Sequence, residues 1–502
     1  METDTMPEHN EAVNKRIKGR FLFCFLLTLA YLFPLLTSGH YYADDLLHSV
    51  TGQTPWNSNG RPLSNGLFHL LMAGGLLSDI APLTQILGAA TISASIVFLS
   101  FRISKSGVIL PVLALFPIIS SPYYLENWSF RYDSLTMAFA VSAAILPYAF
   151  KSDDIVKSIA SSTFCLFISL CFYQAALNLF ISFAAIIFIV DTYEKRCAGK
   201  YKELAGRVAG LLLANAIYTL TIKKFIVTGD YNIIHSELAS GSLTDILSVI
   251  VINYASLSSM FFSAFAGSLR NYFLIPIIFS MGFIFLVLKH IFLNQQIKAL
   301  KMLDLAILMA SIIVIYASIF GPLLLLKSPV FSPRVLIGAS GIMVFITLSV
   351  AILTENIRAL RWIIALPVIG MFVLAYSYYN AQRTTDELEA TMISEIKTTI
   401  ALQGGEGKGI AFKGSAPHSA QSKLAEWNFP IIGRIIFNDL NQDFLWGRLR
   451  LEAFGLQIPY VSLAEATQDL CGMKLVGDFG GYYMWSGSGY FVVDYDRHEC
   501  KF

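Results

Sequence analysis

Apolar residues run through this chain in long blocks rather than in alternation. Nearly unbroken hydrophobic stretches occupy residues 21–37, 80–101, 107–121, 133–150, 158–173, 175–190, 206–228, 272–293, 302–326, 332–354 and 361–379. A helix crosses the hydrocarbon core of a bilayer with roughly 20 such residues, and it satisfies its own backbone there. The pattern predicts a bundle of about 10–12 membrane helices over residues 21–379. Two further apolar stretches fit a crossing poorly. Residues 63–78 are short and bounded by Arg61 and Asp79. Residues 243–266 carry Thr244, Asp245, Ser248, Asn253, Ser256, Ser258, Ser259 and Ser263. Both read as helices that lie at the outer interface or re-enter it.

The basic residues give the bundle a direction. Lys15, Arg16, Lys18 and Arg20 precede the first run, which places the N-terminal segment 1–20 in the cytoplasm. Alternating from there, the inner loops hold Arg102/Lys105, Lys151/Lys157, Lys195/Arg196/Lys200/Lys202/Arg207, Lys298/Lys301 and Arg358/Arg361. The outer loops carry mostly single bases: Arg61, Arg131, Arg270, Lys327 and Arg334. Lys223 and Lys224 depart from the rule at an outer helix end, where long side chains snorkel. The basic start resembles a signal peptide, but no small-residue cleavage site follows, so the first helix is expected to be retained.

After Tyr379 the pattern changes. Residues 380–502 mix charges, Gly-rich turns and short alternating runs such as Phe491-Val492-Val493. Residues 384–401 read as a helix continuing from the membrane. Ile410–Phe412, Ile431–Phe437 and Lys474–Gly477 read as strands or short buried segments. The fold class is therefore mainly α: a polytopic membrane bundle with a small C-terminal α/β domain on the outer side. Cys471 and Cys500, the two cysteines of that tail, meet an oxidising compartment there and are expected to pair. Cys24, Cys165, Cys171 and Cys197 lie in or beside apolar segments, where a small buried thiol is the plain expectation.

Composition agrees and narrows the classes. Of 502 residues, 55% are hydrophobic and 14% charged, against roughly 25% charged in a soluble domain. The net charge of +2 is spread over short loops, so no nucleic-acid surface is expected. The eight histidines form no helical pair for a metal, and no cofactor is expected, although His40 and His48 flank an acidic pair. Gly404–Gly409 is Gly-rich with Lys408 but lacks phosphate-loop spacing.

The candidate chemistry sits in the first outer loop, residues 38–79. There Tyr41-Tyr42-Ala43-Asp44-Asp45 is followed by Trp56-Asn57-Ser58-Asn59-Gly60-Arg61-Pro62. A carboxylate desolvated at the membrane surface beside a second acid has a raised pKa and is suited to take a proton from a sugar hydroxyl. The plain alternative is a helix N-cap before Leu46-Leu47. Arg61, Arg131, Lys327 and Arg334 are outer-loop cations able to grip a phosphate. Each is equally suited to anchoring in lipid headgroups. Arg131 stands out because Trp128-Ser129-Phe130-Arg131-Tyr132-Asp133 joins a base, an acid and aromatics beside a span. Tyr42, Trp56, Asn59, Trp128 and Asp133 are candidates for contact with sugar, although interfacial Trp and Tyr are common in any membrane protein.

Position and order of these motifs carry a resemblance. An acidic pair in the first outer loop resembles the GT-C class of membrane glycosyltransferases. Tyr42-Ala43-Asp44-Asp45 followed by Asn59-Gly60-Arg61-Pro62 resembles the serotype-converting O-antigen glucosyltransferase family. The motif match covers about twenty residues; the span layout and soluble tail match over the whole chain. The resemblance implies an inverting glucosyltransferase of the bacterial inner membrane, acting at its periplasmic face. It implies undecaprenyl-phosphate-glucose as donor and lipid-linked O-antigen as acceptor, with a donor synthase and a flippase as further partners. Asp44 or Asp45 would be the base, Asp45 being the preferred one. Two other readings remain open: a GT-C transferase of another polyprenyl-phosphate sugar, and a non-enzymatic transporter of a lipid-linked sugar.

Overall fold

A computed structural model describes residues 5–104, 107–196, 199–295, 297–405, 407–467 and 469–500. Lys105, Cys197 and Glu406 lie outside them. Among the described residues nine helices are long and apolar enough to cross a membrane. They are Val13–Ser38, Leu83–Ile103, Ile155–Phe172, Gln174–Tyr193, Gly199–Lys223, Leu243–Ser263, Leu269–Leu293, Lys298–Ala317 and Arg358–Leu402. Three shorter apolar helices, Ile109–Ser120, Asp133–Ala149 and Ala339–Thr354, complete the bundle. The run at 107–121 is broken into Ile109–Leu115 and Pro117–Ser120, because proline has no amide to continue the helical ladder.

The first and last helices run parallel. Tyr376 Oη donates to the Ala30 carbonyl at 2.8 Å, Tyr31 packs on Phe372 at 5.3 Å, and His40 Nδ1 lies 2.6 Å from Asp386 Oδ2. Twelve helices crossing in turn would leave the first and last antiparallel, so the crossings among the described residues are odd in number. Leu243–Ser263, although long and apolar enough to cross, is held along one face. Before it, the Ala239 amide donates to the Leu325 carbonyl and the Lys327 amide to Glu237. At its middle Asn253 Nδ2 donates to the carbonyls of Leu323, Leu324 and Leu326. After it, the Ser268 amide donates to Asn428 of the C-terminal domain. Both ends thus return to one face of the bundle, called here the site face. The other set-aside stretch forms the ten-residue helix Pro62–Leu71 on that face.

The opposite face is closed by buried charge. Arg102 pairs with Asp191 at 2.9 Å and Glu203 at 3.1 Å, and Lys200 with Asp304 at 2.6 Å. Arg196 and Arg207 also reach Glu203. Several bases expected in the inner loops, Arg102, Lys200 and Arg207 among them, are buried side chains that tie helix ends together. Each charge there has an opposite partner, the condition for burying it.

The helix Ala365–Leu402 passes unbroken from the bundle into the C-terminal domain. Met392, Ile393, Ile396 and Ile400 pack there on a four-stranded sheet. Its strands are β1 Gly409–Lys413, β2 Lys474–Asp478, β3 Tyr483–Ser486 and β4 Tyr490–Asp494, in the order β1-β4-β3-β2. β1 runs parallel to β4, and the other pairs are antiparallel. Residues 431–437 form no strand. Ile432–Ile435 is a short helix, since Ile431, Ile432 and Ile435 are buried together at helical spacing. Cys471 and Cys500 form a disulfide, with Cα atoms 5.5 Å apart.

Candidate active site

The two adjacent aspartates do different work because the chain turns sharply in front of them. Ala43 adopts φ 46°, a left-handed conformation that costs a non-glycine residue roughly 1–2 kcal/mol. Asp45, at the start of the helix Asp45–Thr51, is then fully buried. Its Oδ2 accepts the amides of Tyr42 at 3.0 Å and Arg131 at 2.9 Å, and Oδ1 that of Tyr132 at 3.4 Å. Burial pushes the carboxyl well above the usual aspartate range, the Arg131 and Tyr42 amides oppose this, and Asp133 adds to it. Asp44 is half-buried, and its side chain makes no hydrogen bond among the described residues. Asp45 ties the loop to residues 131–132; among the described residues both Asp44 side-chain oxygens are without a hydrogen bond.

Arg334 feels the charge of Asp44. It stands in the short 3-10 turn Pro333–Val335, between two bundle helices. Glu126, buried on the helix Tyr124–Ser129, accepts the Arg334 amide at 2.8 Å and the Ser332 hydroxyl at 2.6 Å. Its other oxygen lies 3.8 Å from Arg334 Nε. The guanidinium covers the Phe130 ring at 5.0 Å and keeps 23% of its side-chain surface exposed. Burial works against its charge, but the carboxylates of Glu126 and Asp44 outweigh this and raise its pKa. Tyr173 links it to a second cation: its hydroxyl donates to the Arg334 carbonyl at 3.2 Å, while Arg61 covers its ring at 4.6 Å. Arg61 in turn lies 3.4 Å from Asp133.

The other candidates fall into place around this group. Arg131 is engaged elsewhere: its guanidinium meets Asp79 at 2.7 Å, covers Tyr41 at 4.6 Å and reaches the His40 carbonyl. Lys327 lies apart, 3.3 Å from Glu237. Tyr42, Trp56 and Trp128 are interior side chains rather than surfaces for a sugar. Tyr42 donates to the Ile435 carbonyl, Trp56 to Asp133 at 2.8 Å and Trp128 to the Ile119 carbonyl. Their rings are buried because each indole or phenol has found a partner inside the fold. Asn59 is half-buried, and its carbonyl accepts from Gln174. Gly60 explains its own motif. It has φ 72°, and a Cβ would run into Tyr218 Oη, which donates to the Gly60 carbonyl at 2.9 Å.

Glu126, Asp79, Tyr173 and the His40–Asp386 contact escape the sequence reading. Glu126 lies among the aromatic residues Tyr123, Tyr124 and Trp128, and its partner Arg334 is too distant in sequence to be read from the pattern. Among the described residues one grouping has metal-ligand proximity, Cys471, His498 and Cys500, and its two thiols are joined in the disulfide.

A multi-pass helical bundle with free acid and held arginine on one face defines a membrane protein with an enzyme-like site. The chain's sequence matches the glucosyl transferase GtrII family over residues 33–345. It is also 31% identical, over 86% of its length and 89% of the relative's, to the "Uncharacterized 55.3 kDa protein in gtrB 5'region" of Salmonella phage P22. No solved structure matches. The chain belongs to the GtrII glucosyl transferase family and is a membrane glucosyltransferase.

Proposed function

We propose that the protein transfers glucose from undecaprenyl-phosphate-glucose to lipid-linked O-antigen at the periplasmic face of the bacterial inner membrane, in a GT-C manner. The site face would be periplasmic and the N-terminus cytoplasmic. The observation that carries this is a carboxylate without a hydrogen bond among the described residues, Asp44, whose charge acts on a guanidinium held by Glu126. An acid with free oxygens accepts the proton of an incoming hydroxyl. A held arginine offsets the charge that develops on a departing phosphate.

In the reaction, Asp44 takes the proton of the acceptor hydroxyl, and that oxygen bonds to the anomeric carbon. The bond from that carbon to the phosphate oxygen breaks, and undecaprenyl phosphate leaves beside Arg334 and Arg61. One displacement inverts the anomeric centre. Asp44 takes this role rather than Asp45, whose oxygens already receive backbone amides. A donor synthase and a flippase would supply the glucolipid on the site face.

The test is transfer by purified protein in lipid, comparing undecaprenyl-phosphate-glucose with a nucleotide-activated glucose, followed by NMR of the product's anomeric proton. Product from the lipid donor alone, with inverted configuration, is expected. Retained configuration, or transfer from the nucleotide sugar, would overturn the reading.

A further inference from the structure

The C-terminal domain meets the bundle at the start of a candidate spanning helix. Its Asn428 carbonyl accepts the Ser268 amide at 2.8 Å, and Ser268 immediately precedes the candidate spanning helix Leu269–Asn294. Gly267 packs so closely on Asn428 and Pro430 that a Cβ there would strike them. Just beyond, Phe429, Ile431, Ile432 and Ile435 are buried in the same apolar core as Leu269, Phe273, Tyr378 and Tyr379. The segment 429–435 is thus part of the bundle's rim.

The helix leading into it, Ala420–Asn428, packs its inner side on the long last helix, where Ser422 Oγ donates to the Ala381 carbonyl at 2.7 Å. Its other side carries Leu424, 64% exposed, and Trp427, 84% exposed. These two are three residues apart and share a helix face. Lys423, Arg434 and Arg270, at the start of the spanning helix, are also exposed. Exposed tryptophan beside leucine and basic residues, at the height of a helix entry, matches the chemistry of the lipid headgroup zone.

We propose that the helix Ala420–Asn428 is a membrane-contacting element that buries Leu424 and Trp427 in the lipid interface beside the start of Leu269–Asn294. The C-terminal domain then rests on the bilayer as well as on the bundle. This holds the loop bearing Asp44 and the domain at a fixed height above the lipid. The inference does not depend on which sugar is moved.

The test uses the full chain in nanodiscs of ordinary phospholipid and of phospholipid brominated near the headgroup. The Trp427 signal is the difference in fluorescence between wild type and Trp427→Phe. It is expected to lose most of its intensity in brominated discs and little to aqueous acrylamide. A difference signal indifferent to bromine and strongly quenched by acrylamide would overturn the proposal and leave Trp427 as a water-facing surface. Leu424→Trp in the Trp427→Phe background provides an independent probe of the same face. It is expected to restore the bromine-sensitive component, and a water-quenched signal there would count equally against lipid contact.

Discussion

Glu126 and Arg334 are joined from two sides: the carboxylate accepts the arginine's own amide at 2.8 Å and faces its guanidinium at 3.8 Å. One buried acid thus fixes both the backbone and the charge of a residue more than 200 positions away. A fixed cation is worth more to a transition state than a mobile one, because it costs no reorganisation when charge develops. Arg334→Ala is predicted to lower kcat by about 100-fold or more, and Glu126→Gln by about 10–100-fold, with donor KM changed less in the second. The double variant should be no slower than Arg334→Ala alone, since the two act as a unit. Steady-state kinetics on the four proteins decide it; additive losses would contradict the coupling.

Asp45 is predicted to make stability pH-dependent. Burial holds its carboxyl above the ordinary aspartate value of about 3.9, so the folded chain holds that proton more tightly than the unfolded one. The resulting stabilisation is complete below roughly pH 4 and is lost as pH rises through the raised folded value. Asp45→Asn does not titrate and should flatten that decline. Thermal melts in detergent from about pH 4 to 8 test this; parallel curves for wild type and variant would contradict it.

Gly60 stands where backbone and space both demand glycine: φ is 72°, and Tyr218 Oη occupies the direction of a Cβ. Gly60→Ala is predicted to destabilise the protein by roughly 2 kcal/mol or more and to shift Arg61 next door. Lowered Tm together with lowered transfer is the expected outcome. An unchanged Tm would mean the loop accommodates the methyl group.

The sequence exposes those features that depend on local pattern. Blocks of apolar residues mark the bundle, and the serines and Asn253 in residues 243–266 mark the helix that stays on one face. The position of Asp44-Asp45 after the first helix marks the loop. Long-range partners are hidden from that reading. Arg131, a promising phosphate ligand in its own segment, is occupied by Asp79, 52 residues away. Tyr42, Trp56 and Trp128 look like interfacial aromatics until their partners at Ile435, Asp133 and Ile119 are known. Likewise, nothing in two consecutive aspartates tells which one the backbone of Arg131 and Tyr132 will claim.

That division between Asp44 and Asp45 is the centre of the account. The direct test is glucosyl transfer from undecaprenyl-phosphate-glucose to O-antigen acceptor by wild type, Asp44→Asn and Asp45→Asn, at matched amounts of folded protein in lipid. Asp44→Asn is predicted to lose roughly 10²–10⁴-fold in kcat, while Asp45→Asn, which keeps an oxygen for the Arg131 and Tyr42 amides, retains measurable transfer. Wild-type rates in Asp44→Asn, or abolition by Asp45→Asn alone, would contradict the assignment of Asp44 as the base.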